Sequence, residues 1–249
     1  MMRSAPFTPN PAAVQDPTPP DPYRQARFHI GRGYALYEGP AGDNAPHRHA
    51  AFQVAIALQG EVVFGDGLRE HRGPVLVVPP LQRHQLMPHR DLRCFFIEPH
   101  CSFADELRAV CGPGITAMPA LRQLSEEQVR SRGGASAQVD PRLQQVMAAL
   151  SRGNDEAALP VLAQQAGLSP QRLRALAREQ LGMPLARWRI WQRLRLAASA
   201  LRRGESLAEA ALAAGFADQA HFSRTMREMF GVTPSVVLPL LRAQGLPAT

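Results

Sequence analysis

The sequence predicts an α+β multidomain fold, with an N-terminal β-barrel followed by an all-α domain that carries two helix-turn-helix units. In the first half, short runs of Val, Ile, Leu and Phe alternate with Gly, Pro and Asp-Gly, a pattern typical of strands joined by tight turns. In the second half the apolar residues recur at helical spacing. The pattern at 162–168 recurs at 210–216, 48 residues later, so this half contains an internal repeat.

These patterns divide the chain into five segments. Residues 1–24 are rich in proline and lack a long apolar run, so we expect a disordered tail and no secretory signal. The later segments, each with its expected structure, are a barrel at 25–100, a helical segment at 101–129, a linker at 130–140 and a helix-turn-helix domain at 141–249. No apolar run has the length of a membrane-spanning helix.

The segment at 101–129 has helical spacing. Phe103, Leu107, Val110 and Cys111 fall on one face of a first helix, and a second helical pattern runs from 119 to about 129. These helices either join two protomers or cover the barrel. The polar, glycine-bearing stretch that follows is typical of a linker.

The second copy of the repeat has clear helix boundaries. Ser206 followed by Glu209 forms a capping box, which starts a short helix. Gly215 can take the left-handed conformation that ends this helix. Asp218 can then cap the next helix, which runs from Gln219 to about Phe230.

The first copy carries equivalent signals. Gly167 stands where Gly215 stands in the second copy, and Ser169 with Pro170 can start the helix that follows. Between the copies, a helical pattern with two tryptophans runs from about Leu185 to Leu201. This helix is expected to pack against both units.

With these features, the region from Met147 to roughly Val237 resembles the DNA-binding domain of the AraC/XylS family of bacterial transcription regulators. The resemblance implies an all-helical domain in which a long helix fixes two recognition helices in successive major grooves. Mapped by position, it assigns base contact to Gln171 and Arg174 in the first unit and to Gln219, Ala220, His221 and Arg224 in the second. Arg172 and Asp218, at the start of the same two helices, are further candidates for DNA binding. Arg and Gln suit this task, because they can hold guanine and adenine through paired hydrogen bonds.

Two alternatives remain for these helices. Ala175 stands where many family members carry Arg, so the first unit can read bases or mainly hold the phosphate backbone. The other interpretation is a small helical bundle whose Arg residues form a solvent-exposed face.

Charge is compatible with DNA binding. The net charge is +7, the chain contains no Lys, and residues 140–249 hold 14 Arg against 8 Asp or Glu. We therefore expect DNA binding that weakens steeply with salt.

The barrel segment carries a second set of polar residues. His47, His49 and Gln53 follow the order of the first cupin motif and His84 that of the second, so this half resembles a cupin barrel. Leu81 replaces a glycine of the second motif. Many AraC-type regulators use such a barrel as a sensor and dimerisation module.

Three readings of this set stay open. His47, His49 and His84 could bind Zn, Fe or Ni, although Gln53 replaces the usual glutamate and cannot offset the charge of the ion. The four side chains could instead contact an organic effector. They could also be solvated loop residues.

The cysteines and the missing catalytic motifs complete the sequence reading. Cys94, Cys101 and Cys111 cannot all pair, which fits a reducing cytoplasm. Each is expected to be a small buried hydrophobe, with a redox sensor as the alternative. We find no Ser-His-Asp arrangement, phosphate-binding glycine loop or paired-cysteine metal motif.

We therefore expect a cytoplasmic, non-enzymatic transcription regulator that acts without a membrane. Its expected partners are double-stranded DNA, a small-molecule effector in the barrel, a second copy of the chain in a homodimer, and RNA polymerase if it activates. One alternative is a metal-dependent cupin enzyme fused to a DNA-binding domain. Another is a constitutive DNA-binding protein with a vestigial barrel.

Overall fold

The structure, a computed structural model, describes residues 26–42, 44–151 and 159–242. The tail predicted for residues 1–24 lies outside these residues. We call residues 26–140 the sheet-rich half and residues 141–242 the helical half. The described strands are β1 (Arg27–Gly31), β2 (Tyr34–Ala41), β3 (Phe52–Ala57), β4 (Val62–Gly65), β5 (Glu70–Gly73), β6 (Val75–Val78), β7 (Gln85–Leu86), β8 (His89–Ile97) and β9 (Thr116–Ala117).

The strands form two antiparallel sheets. The larger has the order β1-β2-β8-β3-β6-β9 and the smaller the order β5-β4-β7. Strand pairing among the described residues does not join them into one closed barrel, so the mixed fold is confirmed and barrel closure stays a prediction. All six residues of β3 are buried, because this inner strand is covered on both faces.

Helices cover one face of the larger sheet. Phe103 and Leu107 of α1 (Ser102–Val110) pack in one core with Val54 and Phe95 of the sheet. The prediction that Val110 shares this apolar face was wrong, since its side chain is 60% exposed. Val110 ends α1, and the backbone becomes extended at the next residue.

The rest of the segment at 101–129 is only partly helical. It contains strand β9, a 3-10 turn at Pro119–Leu121 and, from Glu126, helix α2 (Glu126–Ser131). Val129 of α2 is buried in the same core as α1. The apolar residues of these helices therefore cover the sheet.

The predicted linker at 130–140 is packed within the sheet-rich half, against the start of α1. Ser136 is fully buried, and its backbone N–H donates to the carbonyl of His100 over 2.8 Å. Ser102 N–H donates to the carbonyl of Gly134 over 3.0 Å. These bonds fix the chain just before the helical half begins.

The helical half is built around one long helix. Its elements are α3 (Pro141–Ser151), α4 (Leu159–Gln165), α5 (Pro170–Leu181), α6 (Leu185–Arg202), α7 (Leu207–Ala213), α8 (Gln219–Phe230) and α9 (Pro234–Arg242). Trp188 and Trp191 of α6 are fully buried in the core that joins these helices. The two predicted helix-turn-helix units are confirmed as α4–α5 and α7–α8.

The predicted helix boundaries are also confirmed. Ser206 and Glu209 make both hydrogen bonds of the capping box at the start of α7. Gly215 has φ of +81°, in the left-handed region. The Asp218 side chain accepts a hydrogen bond at the start of α8, as the Ser169 side chain does at α5. Local side-chain chemistry therefore sets the length of both recognition helices.

Candidate DNA-reading helices and an interdomain cavity

Helix α8 has one buried face and one open face. Phe222, Met226 and Met229 are buried against the helical core. Gln219 and Arg224, both predicted to read DNA, are exposed. The structure therefore leaves these side chains accessible to a DNA groove.

The start of α8 fixes two of the other predicted DNA contacts. Asp218 Oδ1 accepts from the backbone N–H of His221 over 2.6 Å, so this carboxylate acts as the helix cap. The His221 ring stands edge-on to Phe216, with centroids 5.4 Å apart and an interplanar angle of 87°. Ala217 N–H donates to His221 Nδ1 over 3.4 Å. In the neutral ring the proton then lies on Nε2, so Nε2 is a hydrogen-bond donor. Ala220, beside His221, is exposed.

Helix α5 presents a similar open face. Gln171, Arg172 and Arg174 are exposed, and the N–H of Arg172 donates to Ser169 Oγ over 3.1 Å. The Arg172 guanidinium lies 3.5 Å from the carboxylate of Glu179 on the same helix. Such an exposed pair contributes little to stability, so Arg172 can exchange this carboxylate for a phosphate at little cost.

In the sheet-rich half, the structure brings together the four polar residues that the cupin pattern names. His47, His49 and His84 are buried, and one ring nitrogen of each lies within 4.8 Å of the others. We call these three residues the histidine cluster. Gln53 Oε1 lies 2.9 Å from Nε2 of both His49 and His84. The reading of these side chains as solvated loop residues was therefore wrong.

Hydrogen bonds to the backbone set the tautomers of the histidine cluster. Each Nδ1 atom lies 2.9 Å from a carbonyl oxygen two residues away along the chain. Since a carbonyl only accepts, each Nδ1 carries a proton, and each neutral ring keeps a lone pair on Nε2. Burial lowers the pKa of His49 to about 4 and also lowers the pKa of His47 and His84. All three rings are therefore neutral at pH 7.

This tautomer assignment determines how the Gln53 amide is oriented. Two Nε2 lone pairs cannot both face an amide oxygen at hydrogen-bond distance, so the NH₂ group must occupy that position. The amide oxygen then accepts from the Cys94 thiol, at the position 3.1 Å from Sγ. With this orientation every polar atom of Gln53 is satisfied.

The cysteines do not resemble reactive thiols. Burial raises the pKa of Cys94 to about 12 and that of Cys101 to about 11. Cys111 is half-buried, and burial raises its thiol pKa as well. Because a reactive cysteine needs an accessible thiolate, these shifts favour the structural reading over the redox sensor.

An apolar cavity of about 180 Å³ lies between the two halves of the molecule. Its walls include Leu92 and Phe96 from β8, Trp191 from α6, and Met226 and Phe230 from α8. His47 and Gln53 also line it, whereas His49 and His84 do not. We call this space the interdomain cavity. Sequence reasoning missed it, because its walls come from segments far apart in the chain.

The end of the second recognition helix touches the loop that carries His47. Gly231 ends α8 with φ of +71°, and the N–H of Ala45 donates to the Gly231 carbonyl over 3.3 Å. The Phe230 ring centroid lies 5.5 Å from that of Trp191 and 6.4 Å from that of His49. The helix that carries Arg224 therefore ends directly on the sheet-rich half.

A buried carboxylate joins the two halves near the cavity. Glu98, which follows β8, is 1% exposed. It accepts from Trp191 Nε1 over 3.3 Å and forms an ion pair with Arg195. Arg195 also donates to the carbonyl of Gly31 over 2.8 Å. These contacts of Trp191 and Arg195 therefore attach α6, and with it the helical half, to the sheet-rich half.

Within the described part of the chain, no helix combines the length and apolar character needed to cross a membrane.

Comparisons with known proteins match both the helical half and the whole fold. A family model described as a helix-turn-helix domain matches residues 162–238. ToxT from Vibrio cholerae O395 has a similar structure, with 13% identity over 84% of this chain and 98% of that chain and a TM-score of 0.52. Unsaturated fatty acid bound ToxT from Vibrio cholerae strain SCE256 gives 13% identity, coverage of 86% and 98%, and a TM-score of 0.55.

A third solved structure matches a smaller part of the chain. It is a transcriptional regulator described among AraC-type DNA-binding domain-containing proteins, from Chromobacterium violaceum, with 27% identity over 44% of this chain and 96% of that chain and a TM-score of 0.38. No curated protein matches the chain.

The likeness to ToxT shows the fold of both halves, and the family match covers both recognition helices. Residues 162–238 thus match a helix-turn-helix domain family, and the chain shares the fold of ToxT, with the two helix-turn-helix units after a sheet-rich N-terminal half.

Proposed function

We propose that the protein reads specific DNA sequences through α5 and α8, and that a small-molecule effector in the interdomain cavity controls this reading. One observation carries the proposal. Helix α8 lines the cavity with Phe222, Met226 and Phe230, while Gln219 and Arg224 of the same helix are exposed. A ligand in the cavity would therefore contact the rigid element that reads DNA.

The proposed readout uses both recognition helices. Arg224 and Gln219 on α8, with Arg174 and Gln171 on α5, have the side-chain types that discriminate guanine and adenine in the major groove. Arg172 is assigned to phosphate, and Ala220 to contact with a thymine methyl group. Asp218 acts in this scheme through its cap, which holds the first turn of α8 in place.

The effector would act by differential binding. A ligand shifts an equilibrium only if it binds one arrangement of the two halves more tightly than another. Because the cavity walls belong to both halves, a change in their relative position changes the cavity itself. The solved structure of ToxT with an unsaturated fatty acid bound supports a small-molecule effector for this fold.

We further propose a cytoplasmic homodimer that contacts RNA polymerase when it activates a promoter. Two copies would double the DNA contacts and allow an operator with paired half-sites. Since the apolar residues of α1 and α2 cover the sheet, the dimer contact would use the exposed sides of these helices.

A genome-wide DNA selection with the purified full-length protein tests the DNA-reading part. We expect a motif with two reading segments about one helical turn apart. Arg224→Ala should weaken binding to this motif by about 1–3 kcal/mol, because a paired contact to guanine is lost. Arg122→Ala is the matched control, since it removes the same charge at an exposed position of the sheet-rich half.

Two outcomes would contradict the DNA-reading assignment. One is binding that depends on salt but not on sequence, which would leave only phosphate contact. The other is an equal effect of both substitutions, which would mean that Arg224 contributes charge and no base contact.

A second candidate function uses the histidine cluster as a metal centre, in a cupin enzyme fused to the DNA-binding domain. The observation that favours it is the orientation of the rings. Each Nδ1 is tied to a carbonyl, so three Nε2 lone pairs lie close together, two of which would exchange the Gln53 NH₂ group for the ion, as in imidazole sites for Zn, Fe or Ni. The three imidazoles fit such an ion, which would supply Lewis-acid chemistry. Neutral Gln53 would leave the charge of the ion unbalanced.

Metal analysis after dialysis against Zn²⁺ and Ni²⁺ tests this alternative. One ion per chain that is lost in His49→Ala would support a metal centre, and Gln53→Glu should bind the ion more tightly because a carboxylate offsets its charge. Metal-free protein that still binds its operator with full affinity would count against it.

A further inference from the structure

We infer that the interdomain cavity takes a small, neutral, apolar molecule with one hydrogen-bond donor, such as a phenol, and that it rejects carboxylates. This inference rests on the proposed function, because it names the class of effector for the same cavity. It depends on the size of the cavity, on the state of its charged side chain, and on the orientation of one imidazole.

The cavity has room for about one substituted ring. Its volume is about 180 Å³, and an engineered apolar cavity of about 150 Å³ is known to hold benzene. The walls are mostly aromatic and aliphatic, with Phe96, Trp191 and Phe230 among them. Dispersion contacts with such walls favour a compact apolar ligand.

Among the described lining residues, Arg195 is the one with a full charge. Its guanidinium pairs with the buried carboxylate of Glu98 and donates to the carbonyl of Gly31. The remaining Nε atom is buried and has no hydrogen-bond partner among the described residues. The charge of Arg195 is therefore already balanced within the protein.

A carboxylate ligand would thus enter without a counter-charge. The loss of hydration of an ionised carboxylate costs several kcal/mol unless a cation compensates for it. Because no cation offsets this cost, we expect the cavity to exclude carboxylates.

One polar atom that remains for a ligand is an acceptor. His47 lines the cavity, and its Nδ1–H donates to the carbonyl of Ala45 over 2.9 Å, so its Nε2 keeps a lone pair. No described residue hydrogen-bonds this Nε2, whereas the Tyr37 hydroxyl already donates to the carbonyl of Pro40. Asn44 also lines the cavity, and its Oδ1 accepts from the N–H of Leu86 over 3.2 Å.

These observations together define the ligand class. A hydroxyl group would donate to His47 Nε2 while its apolar body fills the space between Phe96, Trp191 and Phe230. An ether of the same shape would leave His47 without its partner. An acid of the same shape would bring an uncompensated charge.

Three probes of similar shape test the inference by titration calorimetry on the full-length protein at pH 7. They are para-ethylphenol, para-ethylanisole and para-ethylbenzoate, which are respectively a neutral donor, a neutral molecule without a donor and an anion. We expect the phenol to bind at one molecule per chain and about tenfold more tightly than the anisole, which is a typical upper contribution of one hydrogen bond. The benzoate should show no binding.

Two variants assign the site. His47→Phe removes the acceptor but keeps a ring, so the preference for the phenol over the anisole should disappear. His89→Phe is the matched control, because His89 lies outside the cavity lining, and it should keep the preference. If His47→Phe fails to fold, the comparison of the three probes on the unaltered protein still decides the ligand class.

Tighter binding of the benzoate, equal binding of phenol and anisole, or binding of none of the three would overturn the inference. Operator affinity measured with each probe separates it from the proposed function. A benzoate that binds and changes operator affinity would overturn the ligand class but support the effector cavity. A phenol that binds without changing operator affinity would support the ligand class and contradict effector control.

Discussion

At the residue scale, hydrogen-bond partners decide what each histidine can do. His221 accepts from a backbone N–H at Nδ1 and is left with a donor at Nε2, whereas the histidines of the cluster donate at Nδ1 and are left with acceptors. The same residue type is therefore a donor at the start of α8 and an acceptor near the cavity. The sequence names these residues but does not reveal their tautomers.

The His221 tautomer predicts a base preference. As a donor, Nε2 should favour acceptors such as guanine N7 and O6 at the position facing the start of α8. His221→Phe keeps a ring that can pack on Phe216 but removes the donor. DNA selection should then show about a tenfold loss of preference at that position, with the preferences set by Arg224 unchanged. Equal selectivity of the two proteins would exclude His221 from readout.

The neutral histidine cluster predicts a loss of stability in mild acid. Its histidines take up protons in the unfolded chain below about pH 6.5, but the lowered pKa values delay uptake in the folded protein, for His49 until about pH 4. The unfolded state then binds more protons, so the free energy of unfolding should fall between pH 6.5 and pH 4, by up to about 1.4 kcal/mol per pH unit for each histidine.

Urea unfolding at pH 7 and pH 5, in the presence of a chelator, measures this dependence. His84→Gln should show a smaller difference between the two pH values, since it removes one of the groups responsible. A stability that is the same at both pH values would contradict the assignment of neutral rings.

At the scale of elements, the end of α8 couples a recognition helix to the sheet-rich half. Gly182 and Gly231 end α5 and α8 with nearly the same left-handed φ, +72° and +71°. Their surroundings differ, because a Cβ at Gly182 would meet nothing within 4 Å, whereas one at Gly231 would lie 2.5 Å from the carbonyl oxygen of Ala45. The two copies of the repeat thus share a local structure but not a tertiary environment.

This difference predicts unequal effects of one substitution. Gly182→Ala should lower the free energy of unfolding by about 1 kcal/mol, the cost of a left-handed residue with a Cβ. Gly231→Ala should cost more, because α8 must also move away from Ala45. Urea unfolding of both variants gives the comparison, and equal costs would mean that α8 does not press on the sheet-rich half.

At the scale of the whole molecule, a polar contact and an apolar cavity hold the two halves together. Glu98 binds Trp191 and Arg195 of α6, and the interdomain cavity lies beside this contact. The buried nitrogens of Trp188, Gln192 and Arg195 on α6 have no hydrogen-bond partner in the part of the chain that the structure describes. Because unpaired buried polar atoms are costly, this surface of α6 is less stable than an ideally paired one, which favours a change in domain arrangement.

Removal of the buried charge tests the importance of this contact. Glu98→Gln leaves Arg195 without its counter-ion and should lower the free energy of unfolding by about 3 kcal/mol. Glu70→Gln is the matched control, because Glu70 pairs with Arg72 at the exposed surface, where a pair contributes about 0–1 kcal/mol. Similar effects of the two substitutions in urea unfolding would show that Glu98 does not hold the halves together.

The sequence alone predicted most of the local structure. Caps at Ser206 and Asp218, the glycine at 215 and helical spacing give the bounds of α7 and α8, because they act within one or two turns of chain. The sequence also indicated that His47, His49 and His84 belong together. Position 81 has Leu where the second cupin motif has glycine, and the backbone of Leu81 adopts the left-handed conformation, with φ of +63°.

Only the tertiary structure decided where these elements meet. The interdomain cavity joins residues from Phe28 to Leu241, and the contact between Ala45 and Gly231 spans most of the chain. Apolar periodicity shows which face of a helix is buried but not what covers it. For this protein, local chemistry therefore determined the helices of the two helix-turn-helix units, whereas long-range packing placed one of them against a ligand-sized cavity.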